Sequence, residues 1–200
     1  MEDPQIAAVI LAAGRSSRMG RQKLSLPWND DSVLGHVISV FAHELGTEAV
    51  VVVTGASRTA VEDIAKRKGV RTVFNADHEM GEMLSSIKAG LRALGPGVSS
   101  ALIGLGDQPL VEATTILAIL AAHESTGARL VVPSFDGRRG HPWLVHRTFW
   151  APLLHLEPWK SPRDFLRARA DEIHHLSVQT ASVLSDLDTP DDYARARDDR

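Results

Sequence analysis

The chain has 200 residues, 44% hydrophobic and 24% charged, which is enough for one globular domain with a substantial core and requires no second one. A net charge of -3 leaves no excess of Lys and Arg to attract nucleic acid or an anionic membrane, and no apolar run approaches the length that spans a bilayer. Met1-Glu2-Asp3-Pro4 is acidic where a secretory signal is basic, and the lack of cysteine excludes disulfides and thiolate metal sites, so a cytoplasmic protein stabilised by packing is expected.

Ala7 to Leu11 is a wholly apolar run stopping at Ala12-Ala13-Gly14, which predicts a strand buried on both faces and feeding a loop. Ser32 to Leu45 has the length and spacing of a covering helix, and Ala49 to Thr54, with its four valines, reads as a second buried strand, completing a βαβ unit. The alternation continues with helices over 57–68, 83–94 and 112–123 and strands over 70–74, 101–105 and 129–133. Such alternation predicts a mostly parallel sheet with helices on both faces. After Pro133 the turn-rich stretch from Phe135 to Pro142 leads to Trp143–Val145, suited to a reversed strand, so the sheet is expected to be partly mixed. Ser161-Pro162-Arg163-Asp164 and Thr189-Pro190-Asp191-Asp192 each combine an N-cap residue, proline at the first helical position and an early acid, and predict two more helices. With no repeat or linker, the whole of 1–200 reads as a single domain.

Ligands of open α/β sheets sit outside the carboxyl ends of the strands, which is where the segment from Ala12 to Lys23 emerges. It carries Arg15, Arg18, Arg21 and Lys23 with no acidic residue, in a chain that is acidic overall. Gly14 and Gly20 allow close backbone approach, and successive N–H groups can form an anion nest. A Walker A loop is excluded because Gly20 is followed by Arg21-Gln22-Lys23-Leu24, and the dinucleotide glycine pattern is absent. Taken alone, the loop is also compatible with a solvated connection.

The run Leu11-Ala12-Ala13-Gly14-Arg15-Ser16-Ser17-Arg18-Met19-Gly20 with Lys23 resembles the opening motif of the nucleotidyltransferases that act on molybdenum cofactor and related phosphorylated acceptors. The resemblance continues through Gly106-Asp107-Gln108-Pro109, Arg139-Gly140-His141-Pro142 and Asp188-Thr189-Pro190-Asp191-Asp192-Tyr193, and so covers essentially the whole chain. The Ala12-Ala13-Gly14 and Gly106-Asp107-Gln108-Pro109 forms are similar to the cytidylyltransferase branch. Two positions depart from the family's habit: Glu82 separates Gly81 from Met83, and Trp143 follows His141-Pro142 where an aliphatic residue is usual.

The resemblance implies a single-domain, Rossmann-like, three-layer α/β fold of the nucleotide-diphospho-sugar transferase type. It implies transfer of CMP from CTP, or of another nucleotidyl group, to the phosphate of molybdopterin cofactor, with a molybdoenzyme as eventual recipient of the product. Leu11 to Gly20, Lys23, Gly81 and Ser85 would bind the nucleotide, with Arg18 and Lys23 also stabilising the leaving pyrophosphate. Asp107, directly after an apolar strand, would act catalytically as a Mg²⁺ ligand, with Asp188 as a second; Mg²⁺ takes one or two protein carboxylates plus phosphate oxygens and water. Each aspartate can also be read as a turn or capping residue. Arg138 and Arg139 would receive the acceptor's phosphate and His141 would contact its ring system, although the same run can also be read as a solvated charged hairpin. Two other readings stand beside this one: transfer to another phosphate such as a sugar 1-phosphate, and a non-catalytic cofactor-binding chaperone.

The remaining conspicuous residues point elsewhere. His174 and His175 would face opposite sides of a strand, and no histidine pair has zinc-binding helical spacing. Trp28, Trp143, Trp150 and Trp159 are scattered as core anchors or pocket walls are. Met80 and Met83 border the expected nucleotide site.

Overall fold

The structure, a computed structural model, describes residues 5–15, 22–80 and 82–198, with only the backbone of Glu82. The first apolar run forms β1 (Ile6–Ala12). A hairpin of β2 (Pro27–Trp28) and β3 (Asp31–Ser32) precedes α1 (Val33–Leu45), whose N-cap Ser32 accepts a hydrogen bond from Gly35 N at 3.1 Å. There follow β4 (Val50–Thr54), α2 (Arg58–Arg67), β5 (Arg71–Phe74), α3 (Glu82–Arg92), β6 (Ser100–Leu105), α4 (Ala113–Thr126) and β7 (Leu130–Phe135). The chain then forms β8 (Arg138–Arg139), β9 (Trp143–His146), α5 (Trp150–Leu154), α6 (Pro162–Ala168), β10 (His174–Ser177) and α7 (Pro190–Asp198). Both proline-marked helices start where the capping residues predict, and Ser161 and Asp164 form a reciprocal capping box at α6.

The main sheet has the order β10-β7-β9-β6-β1-β4-β5, with β8 paired to β7. It is the expected mixed arrangement: β1, β4, β5 and β6 are mutually parallel, β10 is parallel to β7, and β9 runs antiparallel to both β6 and β7. The reversal between β7 and β8 is a two-residue turn in which Asp136 and Gly137 both have positive φ, 48° and 73°, as a tight hairpin matching strand twist requires.

β1 is apolar throughout because it is covered twice. Ala7 and Val9 face one core with Ile87 and Leu91 of α3, Leu153 of α5 and Phe165 of α6. Ala8 and Ile10 face the other with Ile38 of α1, Val61 of α2 and Ile116 of α4. A third, smaller cluster joins Leu26, Trp28 and Val33 to Leu187, Tyr193 and Ala196, and Tyr193 Oη donates to the Pro27 carbonyl at 2.5 Å. This cluster docks α7 on the β2–β3 hairpin, which sets what stands beside the carboxyl end of β1.

Candidate active site

β4 and β5 lie on one side of β1 and β6 on the other, so the strand order reverses between β1 and β6. The crevice outside the carboxyl ends at such a point is the ligand site of open α/β sheets. β1 delivers Ala13, Gly14 and Arg15 there, and β6 delivers Gly106 and Asp107. The two ends are tied by the Gly106 N–H, which donates to the Leu11 carbonyl at 2.9 Å. A Cβ on Gly106 would stand 3.1 Å from that carbonyl, whereas one on Gly14 would meet nothing within 4 Å. Among the described residues, Gly14 thus has open space for a ligand beside its backbone.

Lys23 lies in a short 3-10 turn, Lys23–Ser25, whose Leu24 is buried in the α1-side core. Its ammonium donates to Asp107 Oδ2 and, at 3.1 Å, to Asp188 Oδ1. Burial alone would lower the Lys23 pKa, but the charges of Asp107 and Asp188 and the hydrogen bonds they accept raise it above the ordinary lysine value. Lys23 is therefore a fixed cation between two carboxylates. Asp188 is not the cap of α7, because Thr189 fills that role with Asp192: Thr189 N donates to Asp192 Oδ2 at 2.9 Å and Asp192 N to Thr189 Oγ1 at 3.1 Å.

Two residues given no role by the sequence complete the cluster. The buried Gln108 donates from Nε2 to Asp186 Oδ1 at 2.6 Å, while Leu187 N donates to the Asp107 carbonyl at 3.1 Å, so the segment before α7 is pinned to the turn after β6. Burial, followed by the negative charges of Asp107 and Asp188, holds the Asp186 carboxyl above its ordinary pKa, against the hydrogen bond from Gln108 and the charge of Lys23. Among the described residues, no three His, Asp or Glu side chains converge to enclose a metal unaided. Asp107 and Asp188 nevertheless meet at the Lys23 ammonium, and their hard oxygens suit a divalent ion that completes its shell with phosphate and water.

The other expected site residues fall on the same edge or outside the described chain. Leu11, Ala12 and Ala13 belong to the end of β1, and Arg15 pairs with Glu79 at 2.5 Å, both side chains being exposed. Ser85, in the first turns of α3, accepts a hydrogen bond from buried Asn75 at 2.8 Å, and Asn75 N in turn donates to the Thr54 carbonyl at the end of β4. Ser16, Ser17, Arg18, Met19, Gly20 and Gly81 lie outside the described residues. Arg138 and Arg139 are exposed on β8, at the carboxyl end of β7. His141 stacks on Trp143 with ring centroids 4.5 Å apart, and Trp143 is a core residue whose Nε1 donates to the Gly140 carbonyl at 2.7 Å. Burial, aided by the charge of Arg163, lowers the His141 pKa to about 3, and its buried Nε2 has no hydrogen-bond partner among the described residues.

The open mixed α/β sheet thus carries a lysine–aspartate cluster beside its switch point, an arrangement that suits a metal-complexed phosphate. The chain belongs to the MobA-like NTP transferase domain family, whose model matches residues 8–174. It is 26% identical over 193 residues to the molybdenum cofactor cytidylyltransferase of Escherichia coli, covering 96% of each chain. It is 32% identical over 199 residues to the nicotine blue oxidoreductase of Paenarthrobacter nicotinovorans, again covering 96% of each. Its fold is similar to that of a Mycobacterium tuberculosis protein whose crystal structure is a complex with manganese, with a TM-score of 0.78, 29% identity and coverage of 96% and 97%. No helix among the described residues is long and apolar enough to cross a membrane.

Proposed function

We propose that this chain transfers CMP from CTP to the phosphate of a molybdopterin-class cofactor and releases pyrophosphate, with Mg²⁺ as its metal. The observation that carries the reading is the placement of Lys23 between Asp107 and Asp188 beside the open space at Gly14. An acceptor phosphate oxygen forms a bond to the α-phosphorus as the bond from that phosphorus to the bridging oxygen of the β-phosphate breaks, and the electron pair leaves with pyrophosphate. A phosphate monoester has a second pKa near about 6, so the nucleophile is already dianionic at neutral pH and needs no strong base. The work left to the protein is positioning and charge neutralisation.

Arg15, Arg18 and Lys23 supply positive charge to the triphosphate, and Ala12 to Gly14 bring backbone close to it. Asp107 and Asp188 would hold the metal, which when bound screens the phosphate charges and orients them. Gly81 and Ser85 would bind the nucleotide, and Arg138, Arg139 and His141 the acceptor. Neutral His141 can hydrogen-bond but brings no charge. A molybdoenzyme would take the product.

The test is pyrophosphate release with each nucleoside triphosphate and Mg²⁺, with and without molybdopterin cofactor and with a panel of sugar phosphates. Release with CTP that requires the cofactor supports the reading. Release only with a sugar phosphate replaces the acceptor and keeps the transfer, and no release with any acceptor removes it. The name of the Paenarthrobacter nicotinovorans relative favours a second reading, an oxidoreductase, which predicts consumption of an electron donor and no pyrophosphate.

A further inference from the structure

Apart from the lysine–aspartate cluster, the molecule has a groove of about 210 Å³ between the entrance of α3 and the connection from α5 to α6. Met80 and Leu84 form one wall, and the segment 158–162, with Trp159 and Lys160, forms the other. Trp28, Trp143 and Trp150 are no more than 5% exposed, whereas Trp159 is 76% exposed and Met80 89%. Two large apolar side chains left in water across a concave surface mark a place that a ligand covers. An indole face and a polarizable thioether both favour a flat π-system, and the Lys160 ammonium favours a negative substituent on it. At 210 Å³ the groove is smaller than the roughly 300 Å³ at which sites for drug-sized ligands begin, and it suits one fused ring rather than a whole nucleotide.

The groove adjoins the transfer site on both sides. Glu79, which holds Arg15 of the phosphate loop, directly precedes Met80, and Leu84 directly precedes Ser85. Arg163, next to Pro162 of the groove wall, is close enough for its charge to act on His141. We infer that this groove binds the acceptor through a flat, fused aromatic ring with an anionic substituent, Trp159 stacking on the ring and Lys160 meeting the charge. The inference rests on the transfer reading, since it names the part of the acceptor that is held away from the reacting phosphate.

The exposed indole gives a direct readout. Iodide should quench mainly Trp159, and Trp159→Phe should remove that quenching. Pterin-6-carboxylate, which has a fused ring and an anion but no phosphate, should protect Trp159 from iodide without nucleotide or metal, and Lys160→Gln should weaken this protection at least about threefold. Failure of pterin-6-carboxylate to protect overturns the inference, as does protection by cytidine in its place, which would make the groove the seat of the nucleotide base. No turnover is measured, so protection without any pyrophosphate release would sink only the transfer reading, and cofactor-dependent release without protection would sink only the groove.

Discussion

The ammonium of Lys23 is hydrogen-bonded to the carboxylate of Asp107, from opposite sides of the point where the strand order reverses. Lys23 belongs to the segment after β1 and Asp107 to the turn after β6, so the pair joins the segment we propose for the triphosphate to the carboxylate that would take a metal. Removing either partner should cost about 100-fold or more in transfer rate, the scale for a preorganised charge contact at a reacting phosphate. Lys23→Met also leaves Asp107 and Asp188 without their shared cation, so Mg²⁺ or Mn²⁺ should raise its melting temperature more than that of the parent. Near-normal transfer by folded Asp107→Asn would remove Asp107 from the metal site.

Glu79 pairs with Arg15 and, on the proposed function, would compete with phosphate for it. Exposed pairs of this kind are worth about 0.2–1 kcal/mol, so Glu79→Gln should lower the KM for the triphosphate by up to about fivefold at low salt. Screening should erase most of the difference by about 1 M salt. Steady-state kinetics at two ionic strengths provide the check; a KM that rises in Glu79→Gln would mean that Glu79 holds the loop in its binding form.

Gln108 acts on the site through Asp186. Gln108→Ala should cost about 1–3 kcal/mol of stability by leaving hydrogen-bonding groups without partners, and should raise the divalent-ion concentration needed for half-maximal rate, since Asp188 is two residues from Asp186. Loss of stability with an unchanged metal requirement would limit Gln108 to a structural role.

His141 makes stability depend on pH in a defined window. Its folded pKa of about 3 lies below the ordinary 6.5, so as the pH falls below about 6.5 protons bind the unfolded chain first and stability is lost until the folded pKa is reached. The stability of the parent relative to His141→Asn should therefore decline by about 1.4 kcal/mol per pH unit between about pH 6 and 4. Urea denaturation of both proteins across that range isolates the effect; parallel curves would show that His141 keeps an ordinary pKa when folded.

The order of the main strands and helices is legible because β1, β4, β6 and β7 are apolar runs and the starts of α1, α6 and α7 are short local patterns. Lys23, Asp107 and Asp188 are visible only through motif resemblance, since Lys23 and Asp188 are 165 positions apart and no periodicity links them. What brings them together is the packing of Trp28 with Tyr193 and Leu187, a contact that neither segment announces. The β2–β3 hairpin is likewise silent, with two residues per strand. Glu79, Gln108 and Asp186 gain their roles from tertiary pairing alone. Trp159 reads no differently from the three buried tryptophans until its exposure is seen.

Label transfer tests the central claim most directly. With CTP labelled at the α-phosphate or at the γ-phosphate, Mg²⁺ and molybdopterin cofactor, the account predicts that α-label moves to the acceptor while γ-label leaves as pyrophosphate, and that both processes fail together in Asp107→Asn. Appearance of γ-label in the acceptor, or pyrophosphate formed at the same rate without any acceptor, would contradict it.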